Sequence, residues 1–326
     1  LSMVDDAQKK AAVFRVPAHE IDARIAAIQQ ALQQAEYDAL FVVQRADLFY
    51  FSGTAQNAFL LIPADDTPIL FVKQFLPRAK AESTLKHIVG IKTVKEIPQL
   101  IFDRCGRLPA KLACELDVLP VNDCQFYENL FQRPRIVDGS GMVLKVRQIK
   151  SEWEIRQMRA TAEMTRSTFD YMRSAIRPGL TEIEFAGLFE THARTRGHGG
   201  SLRIRHHLTE GYPWHVLSGK SGSLSGLLDS PASGLGTSLA FPCGAGHKKL
   251  RSGEPIMVDF AAVLNGFHMD ETRMFAISAM PARAQKACED AINIHDFILE
   301  NTGPGLSSND IFQMALDRAD ALGCAD

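Results

Sequence analysis

Asn265-Gly266 constrains this chain more than any other dipeptide in it. Both residues tolerate positive φ, which a two-residue hairpin turn demands. Ile256, Met257 and Val258 carry an apolar run up to Asp259, and Phe267 to Phe275 forms the return. The turn therefore predicts two antiparallel strands, with Asp259 on the first and Asp270, 11 positions later, on the second. Each aspartate stands among apolar neighbours. Burying a bare carboxylate is costly, and two close together force one to protonate unless a cation lies between them. A simpler reading has Asp259 capping a turn and Asp270 pairing with Arg273.

The chain has the material for a core behind such strands. At 326 residues, 46% of them hydrophobic, it is long enough for two domains. With 36 basic and 38 acidic residues the formal net charge is -2, which gives no electrostatic footing for nucleic acid. No apolar run reaches the roughly 18 residues of a membrane span. Leu1-Ser2-Met3-Val4-Asp5-Asp6 lacks the basic-then-apolar pattern of a secretion signal. The 6 cysteines include no Cys-x-x-Cys pair, so reduced thiols and a cytoplasmic location are expected.

The first 140 residues read as an α/β layer. Ile21, Ile25, Ile28 and Leu32 recur at helical spacing. Short buried strands follow at 38–43, 58–63 and 69–72, with Leu48 to Phe51 leading into a turn at Ser52-Gly53-Thr54. A strand at 111–115 and a helix near 122–132 complete this part. A second domain, 149–326, opens at Ser151, whose capping box with Glu154 starts a long helix to about Ala175. Pro178-Gly179-Leu180-Thr181 then stops that helix, and a second capping box starts the next, which ends near Gly197. The pattern returns at an offset of 126: Pro304-Gly305-Leu306-Ser307 matches Pro178 to Thr181, Ala319 matches Ala193, and Gly323 matches Gly197. Such self-similarity predicts two copies of a helix-helix-strands unit about a pseudo-twofold axis. Residues 221–237, rich in Ser, Gly and Leu, read as a loop over a cleft. Ser218-Gly219-Lys220-Ser221 lacks the remaining glycine of a phosphate loop.

The step from Asp259 to Asp270, the Gly266-Phe267 turn and Asp270-Glu271-Thr272-Arg273-Met274-Phe275 resemble the first two metal ligands of the pita-bread metallohydrolases, the aminopeptidase P, prolidase, methionine aminopeptidase and creatinase group. Arg24-Ile25, Tyr37-Asp38-Ala39-Leu40 and Phe49-Tyr50-Phe51-Ser52-Gly53 resemble the N-terminal domain of creatinase, prolidase and aminopeptidase P. Ile149-Lys150-Ser151 with Glu154-Ile155 is similar to that group's entry into the second domain. Ala261 stands where the family usually has Gly.

The resemblance implies an α/β (α+β) chain with a creatinase-like N-terminal domain and a pita-bread domain. It implies Asp259 and Asp270 as metal ligands, two divalent ions (Mn, Co or Zn), a water activated between them, and hydrolysis of Xaa-Pro peptides by a homodimer. Asp259 is expected to ligate often through both oxygens. The family's other ligands, a His in Gly-His-Gly and two Glu, have no counterpart after residue 295. The second copy stops 3 residues past Gly323. The expectation is a pita-bread domain lacking its C-terminal strands, inactive and without stably bound metal as given. The family's proton-transferring His falls 17 or 18 residues before the first ligand, where Pro242 and Phe241 stand. His215 is the catalytic candidate instead, with Asp229 and His247 nearby after a loop shift. His206 and His207, beside Arg203 and Arg205, are candidates for a substrate carboxylate. Two rival readings remain: a metal-free, creatinase-like amidinohydrolase, and a non-catalytic peptide-binding protein.

Overall fold

The structure, a computed structural model, describes residues 14–205, 214–227 and 232–324. The chain divides into two compact units. The first comprises the residues up to Gln157 together with Arg203–Arg205, which lie far along the sequence. The second comprises Met158–Leu202 and the described residues from Trp214 onward.

In the first unit the short apolar runs become strands because they alternate between two cores. The elements are α1 (Ala18–Gln34), β1 (Ala39–Val42), α2 (Arg45–Ser52), β2 (Ala58–Pro63), β3 (Ile69–Val72), α3 (Leu76–Glu82), β4 (His87–Gly90), α4 (Ile97–Cys105), β5 (Lys111–Cys114), α5 (Val121–Leu130), β6 (Arg135–Asp138) and α6 (Ser140–Gln148). The strands form one sheet in the order β4-β3-β2-β1-β5-β6, antiparallel at β1–β2 and β2–β3 and parallel elsewhere. Leu40 and Val42 point to the α1 side, where Ile21, Ile25, Ile28 and Leu32 are buried with them. Ala39 and Phe41 point to the other side, against Ile97, Ile101, Tyr127 and Phe131. This is the two-residue period of a sheet covered on both faces.

The stretch ending at Ser52-Gly53 is helical. Gln44 caps it by accepting from the amides of Ala46 and Asp47, and Gly53, at φ 75°, closes it in the left-handed region.

The second unit is built on a hairpin. Its elements are α7 (Glu152–Ala175, shared with the first unit), α8 (Glu182–Thr195), β7 (Trp214–Ser218), β8 (Pro255–Leu264), β9 (Phe267–Ala276), α9 (Ala282–Asn301) and α10 (Ser308–Leu322). Asn265 at φ 54° and Gly266 at φ 85° make the predicted turn, and Leu264 faces Phe267. The sheet order is β7-β8-β9, antiparallel throughout. Val216, Ile256, Val258, Phe260 and Ala262 turn one face toward Met164, Phe169, Met172, Phe185 and Phe189 of α7 and α8.

The repeat holds at the level of local structure. Gly179 and Gly305 sit at φ 90° and 102°. Thr181 with Glu184, and Ser307 with Asp310, form full capping boxes. Ser151 and Glu154 make the same reciprocal bonds at 2.9 and 3.1 Å at the start of α7. Among the described residues no helix is long and apolar enough to cross a membrane.

Candidate active site

The hairpin turn fixes which residues face one another. In its register Asp259 is opposite Thr272, and Ala261 is opposite Asp270. On the other side of β8, His215 is opposite Asp259. Residues directly opposite in a ladder share a face, as do residues two apart in a strand. His215, Asp259, Asp270 and Thr272 therefore occupy the same face, the one turned away from the Phe260 core.

That placement corrects the expectation of two buried aspartates. The apolar sequence neighbours of Asp259, Val258 and Phe260, go to the opposite face; Asp259 is half-buried and Asp270 is exposed. The simpler reading of the two aspartates is also overturned. Asp259 lies inside β8 rather than at a turn, and Arg273 pairs with Glu271 at 2.7 Å rather than with Asp270.

The electrostatics tie the group together. Asp270 is held above its ordinary range, first by partial burial and then by the charge of Asp259, with His215 opposing. His215 is 7% exposed, and burial pushes its imidazole below the ordinary histidine range against the pull of both aspartates. Its ring has no hydrogen-bond partner among the described residues. Thr272 Oγ1 donates to Asp259 Oδ1 at 2.7 Å.

The strand that carries His215 is pinned at its end. Glu182, fully buried in the first turn of α8, accepts from the Ser218 amide and hydroxyl at 2.8 Å each, from the Ser221 hydroxyl, and from the Gly246 amide at 3.2 Å. Lys248 Nζ donates to Ser218 Oγ at 2.8 Å and to Glu254 at 2.5 Å. Both ends of the loop 219–246 are thereby tied to one carboxylate. His247 is exposed beside this knot.

Other expected site residues are not brought to this face. His206, His207 and Asp229 lie outside the described residues. Arg205 belongs to the first unit, where it pairs with buried Asp47 at 2.6 Å and with Asp117. Its charge is taken up there. Asp47 also pairs with Arg147, and its neighbour Glu115 is pushed well above the carboxylate range by burial and by Asp47.

Sequence reasoning missed Thr272 and Glu182 as contributors to the site. The first was readable, since a two-residue turn at 265–266 places 259 opposite 272. The second had no local signal beyond its place in the capping segment.

Two carboxylates on adjacent strands, one with its proton affinity raised by the other, have the oxygen-donor chemistry of a hard divalent cation. The pair supplies part of a donor set for such an ion. It is not a full coordination shell: among the described residues no three His, Cys, Asp or Glu side chains converge to hold a metal.

Comparison with known proteins shows the family and the fold. The profile for the creatinase/prolidase N-terminal domain matches residues 24–149, and that for metallopeptidase family M24 matches residues 156–325, just over half of the chain. An uncharacterised peptidase of Staphylococcus epidermidis is 24% identical over 93% of this chain and 80% of its own length. A putative Xaa-Pro aminopeptidase of Mycoplasma pneumoniae is 23% identical over 81% of this chain and 66% of its own. Among solved structures, the Xaa-Pro dipeptidase from Bacillus anthracis superposes with a TM-score of 0.79 at 19% identity, covering 94% of this chain and 79% of that one. The prolidase from Pyrococcus horikoshii OT3 gives 0.77 at 17%, covering 93% and 79%. At such identities these superpositions speak for the fold, which is the prolidase pita-bread fold. The chain belongs to metallopeptidase family M24, behind an N-terminal domain of the creatinase/prolidase type.

Proposed function

We propose that this protein hydrolyses Xaa-Pro peptide bonds in a metal-dependent reaction of the aminopeptidase P or prolidase type. The observation that carries the reading is the pair Asp259 and Asp270 on one face of adjacent strands, with Asp270 held above its ordinary range by partial burial and then by the charge of Asp259. Family membership and the names of the relatives support it.

In this reading Asp259 and Asp270 would hold divalent ions (Mn, Co or Zn). When bound, the ions supply Lewis acidity at the scissile carbonyl. His215 is neutral near pH 7, because burial disfavours its cation, and it takes or gives a proton at a ring nitrogen on the same face. His206 and His207 are assigned to the substrate carboxylate. The rest of the reading is a domain division at 140–149, a homodimer and a cytoplasmic location.

The test is turnover of Gly-Pro and longer Xaa-Pro peptides with Mn2+, against creatine as a control, by the product of the natural gene and by this chain. Release of proline that Asp270→Asn abolishes supports the reading. Turnover of creatine alone makes the protein a creatinase-like amidinohydrolase, and binding without turnover of either makes it a peptide-binding protein.

A further inference from the structure

The first unit holds a cluster of ionisable side chains that the proposed reaction does not use. Its centre is Asp47, fully buried in the first turn of α2. Arg147 of α6 pairs with Asp47 Oδ1, and Arg205 Nε donates to Oδ2 at 2.6 Å. Two guanidiniums and a helix N-terminus all favour a charged Asp47. Arg205 also pairs with Asp117. Asp47 and Asp117 thus balance Arg147 and Arg205, and Glu115 is left over.

Glu115 follows β5 and is 1% exposed. Its Oε2 accepts from the Val43 and Gln44 amides at 2.8 and 2.9 Å. Its Oε1 is buried and meets no donor among the described residues. The polar group beside it is the carboxylate of Asp47. As an anion, Glu115 would set a bare buried oxygen against a like charge. As an acid, it has a hydroxyl to donate and an acceptor in Asp47. Burial, and then Asp47, favours the acid. Cys114 beside it stays neutral, its thiol pushed up to about 12 chiefly by burial. Asp138, at the end of β6, accepts from the Ser140 amide and hydroxyl.

We propose that Glu115 keeps its proton at neutral pH and donates it to Asp47, which makes this buried cluster a pH-sensitive clasp in the first unit. With the proton held, the charges of Asp47, Asp117, Arg147 and Arg205 cancel. Without it, one uncompensated negative charge is buried. An opening that brings Glu115 to water lets it ionise at the ordinary glutamate value near 4.3. The clasp is therefore tightest below that value. It loosens as pH rises from there through the higher folded value, by at most roughly tenfold in the opening equilibrium per pH unit.

The experiment labels the glutamate side chains of the whole chain with 13C at Cδ and follows their carboxyl resonances through a pH titration. One resonance is expected to stay in its protonated position at pH 7 and to be missing from Glu115→Gln. If every glutamate of the wild type is ionised at pH 7, the proposal is overturned, and that result needs no variant. A protonated resonance that persists in Glu115→Gln overturns it as well. Hydrogen exchange of the Val43 and Gln44 amides, corrected for the intrinsic rate, reads the clasp itself. Glutamine keeps an acceptor for these amides and a donor for Asp47. Protection is therefore expected to fall in wild type between about pH 6 and pH 8, by up to roughly 100-fold, and to stay level in Glu115→Gln. Protection that stays level in wild type, or falls equally in both proteins, overturns the clasp.

Discussion

The two helix pairs of the second unit carry the same local signals and end in different environments. Helices α7 and α8 bury Met164, Phe169, Met172, Phe185 and Phe189 against the strands. In α9 no residue is buried, and in α10 only Ala319 is. Ile292, Leu299 and Phe312 are each at least 60% exposed. Yet the Pro-Gly turns, capping boxes and closing glycines are the same in both. Local chemistry is enough to start and stop a helix, and tertiary packing alone decides whether its apolar stripe contributes to stability. The offset of 126 supplies matched positions on which this difference is measurable.

The largest contrast lies in the apolar stripes. On α8, Phe189 is fully buried, with its ring centroid 5.5 Å from that of Phe260 and 6.4 Å from that of Phe185. Phe189→Ala is expected to cost about 3–5 kcal/mol in urea unfolding, whereas Phe312→Ala on α10 is expected to stay within about 0.5 kcal/mol. Comparable losses at both sites would break the distinction.

Next comes the first helical turn. Glu182 in copy one corresponds to Ser308 in copy two. Glu182→Ala strands the amide of Gly246 and takes an acceptor from the Ser218 amide and hydroxyl, and is expected to cost about 1–3 kcal/mol. Ser308→Ala, at an exposed site, is expected to change stability by less than about 0.5 kcal/mol. A neutral Glu182→Ala would show that loop 219–246 is held by something else.

A pH effect separates the helix ends. His198, 3% exposed, corresponds to exposed Cys324. Its Nδ1 accepts from the Val263 amide at 3.1 Å, and burial, followed by the charge of Arg194, pushes its pKa down. The folded state therefore resists the proton that the unfolded chain accepts. Stability is full above the ordinary histidine value near 6.5 and falls as pH drops from there through the lower folded value, by at most about 1.4 kcal/mol per pH unit. Urea midpoints at pH 7.5 and 5.5 should show a smaller drop in His198→Gln than in wild type. An equal drop would place the effect elsewhere, with His192 or His215.

The smallest contrast is a predicted absence of one. Thr181→Ala and Ser307→Ala each remove a capping hydroxyl, and each is expected to cost about 1 kcal/mol at its own helix start, read by hydrogen exchange of the first-turn amides.

These contrasts mirror what the sequence discloses. The hairpin, the capping boxes and the repeat depend on neighbours within a few positions, and they appear in the structure where the residues place them. The open carboxylate face was not readable from runs of apolar neighbours. Strand alternation sends those neighbours to the other side, and composition within a window does not see which side is covered. The helix Arg45–Ser52 was missed because its cap is a glutamine, a residue with no strong capping preference. The membership of Arg205 in the first unit depends on Asp47, 158 positions away. No local pattern carries that pairing.

The central claim is that Asp259 and Asp270 together bind a divalent cation. Its most direct test is a crystal of the product of the natural gene grown with Mn2+ and measured at a wavelength that reveals manganese by anomalous scattering. The account predicts a peak in coordination contact with the Asp259 and Asp270 carboxylates. A peak bound elsewhere, or both aspartates turned away with no peak between them, would contradict it.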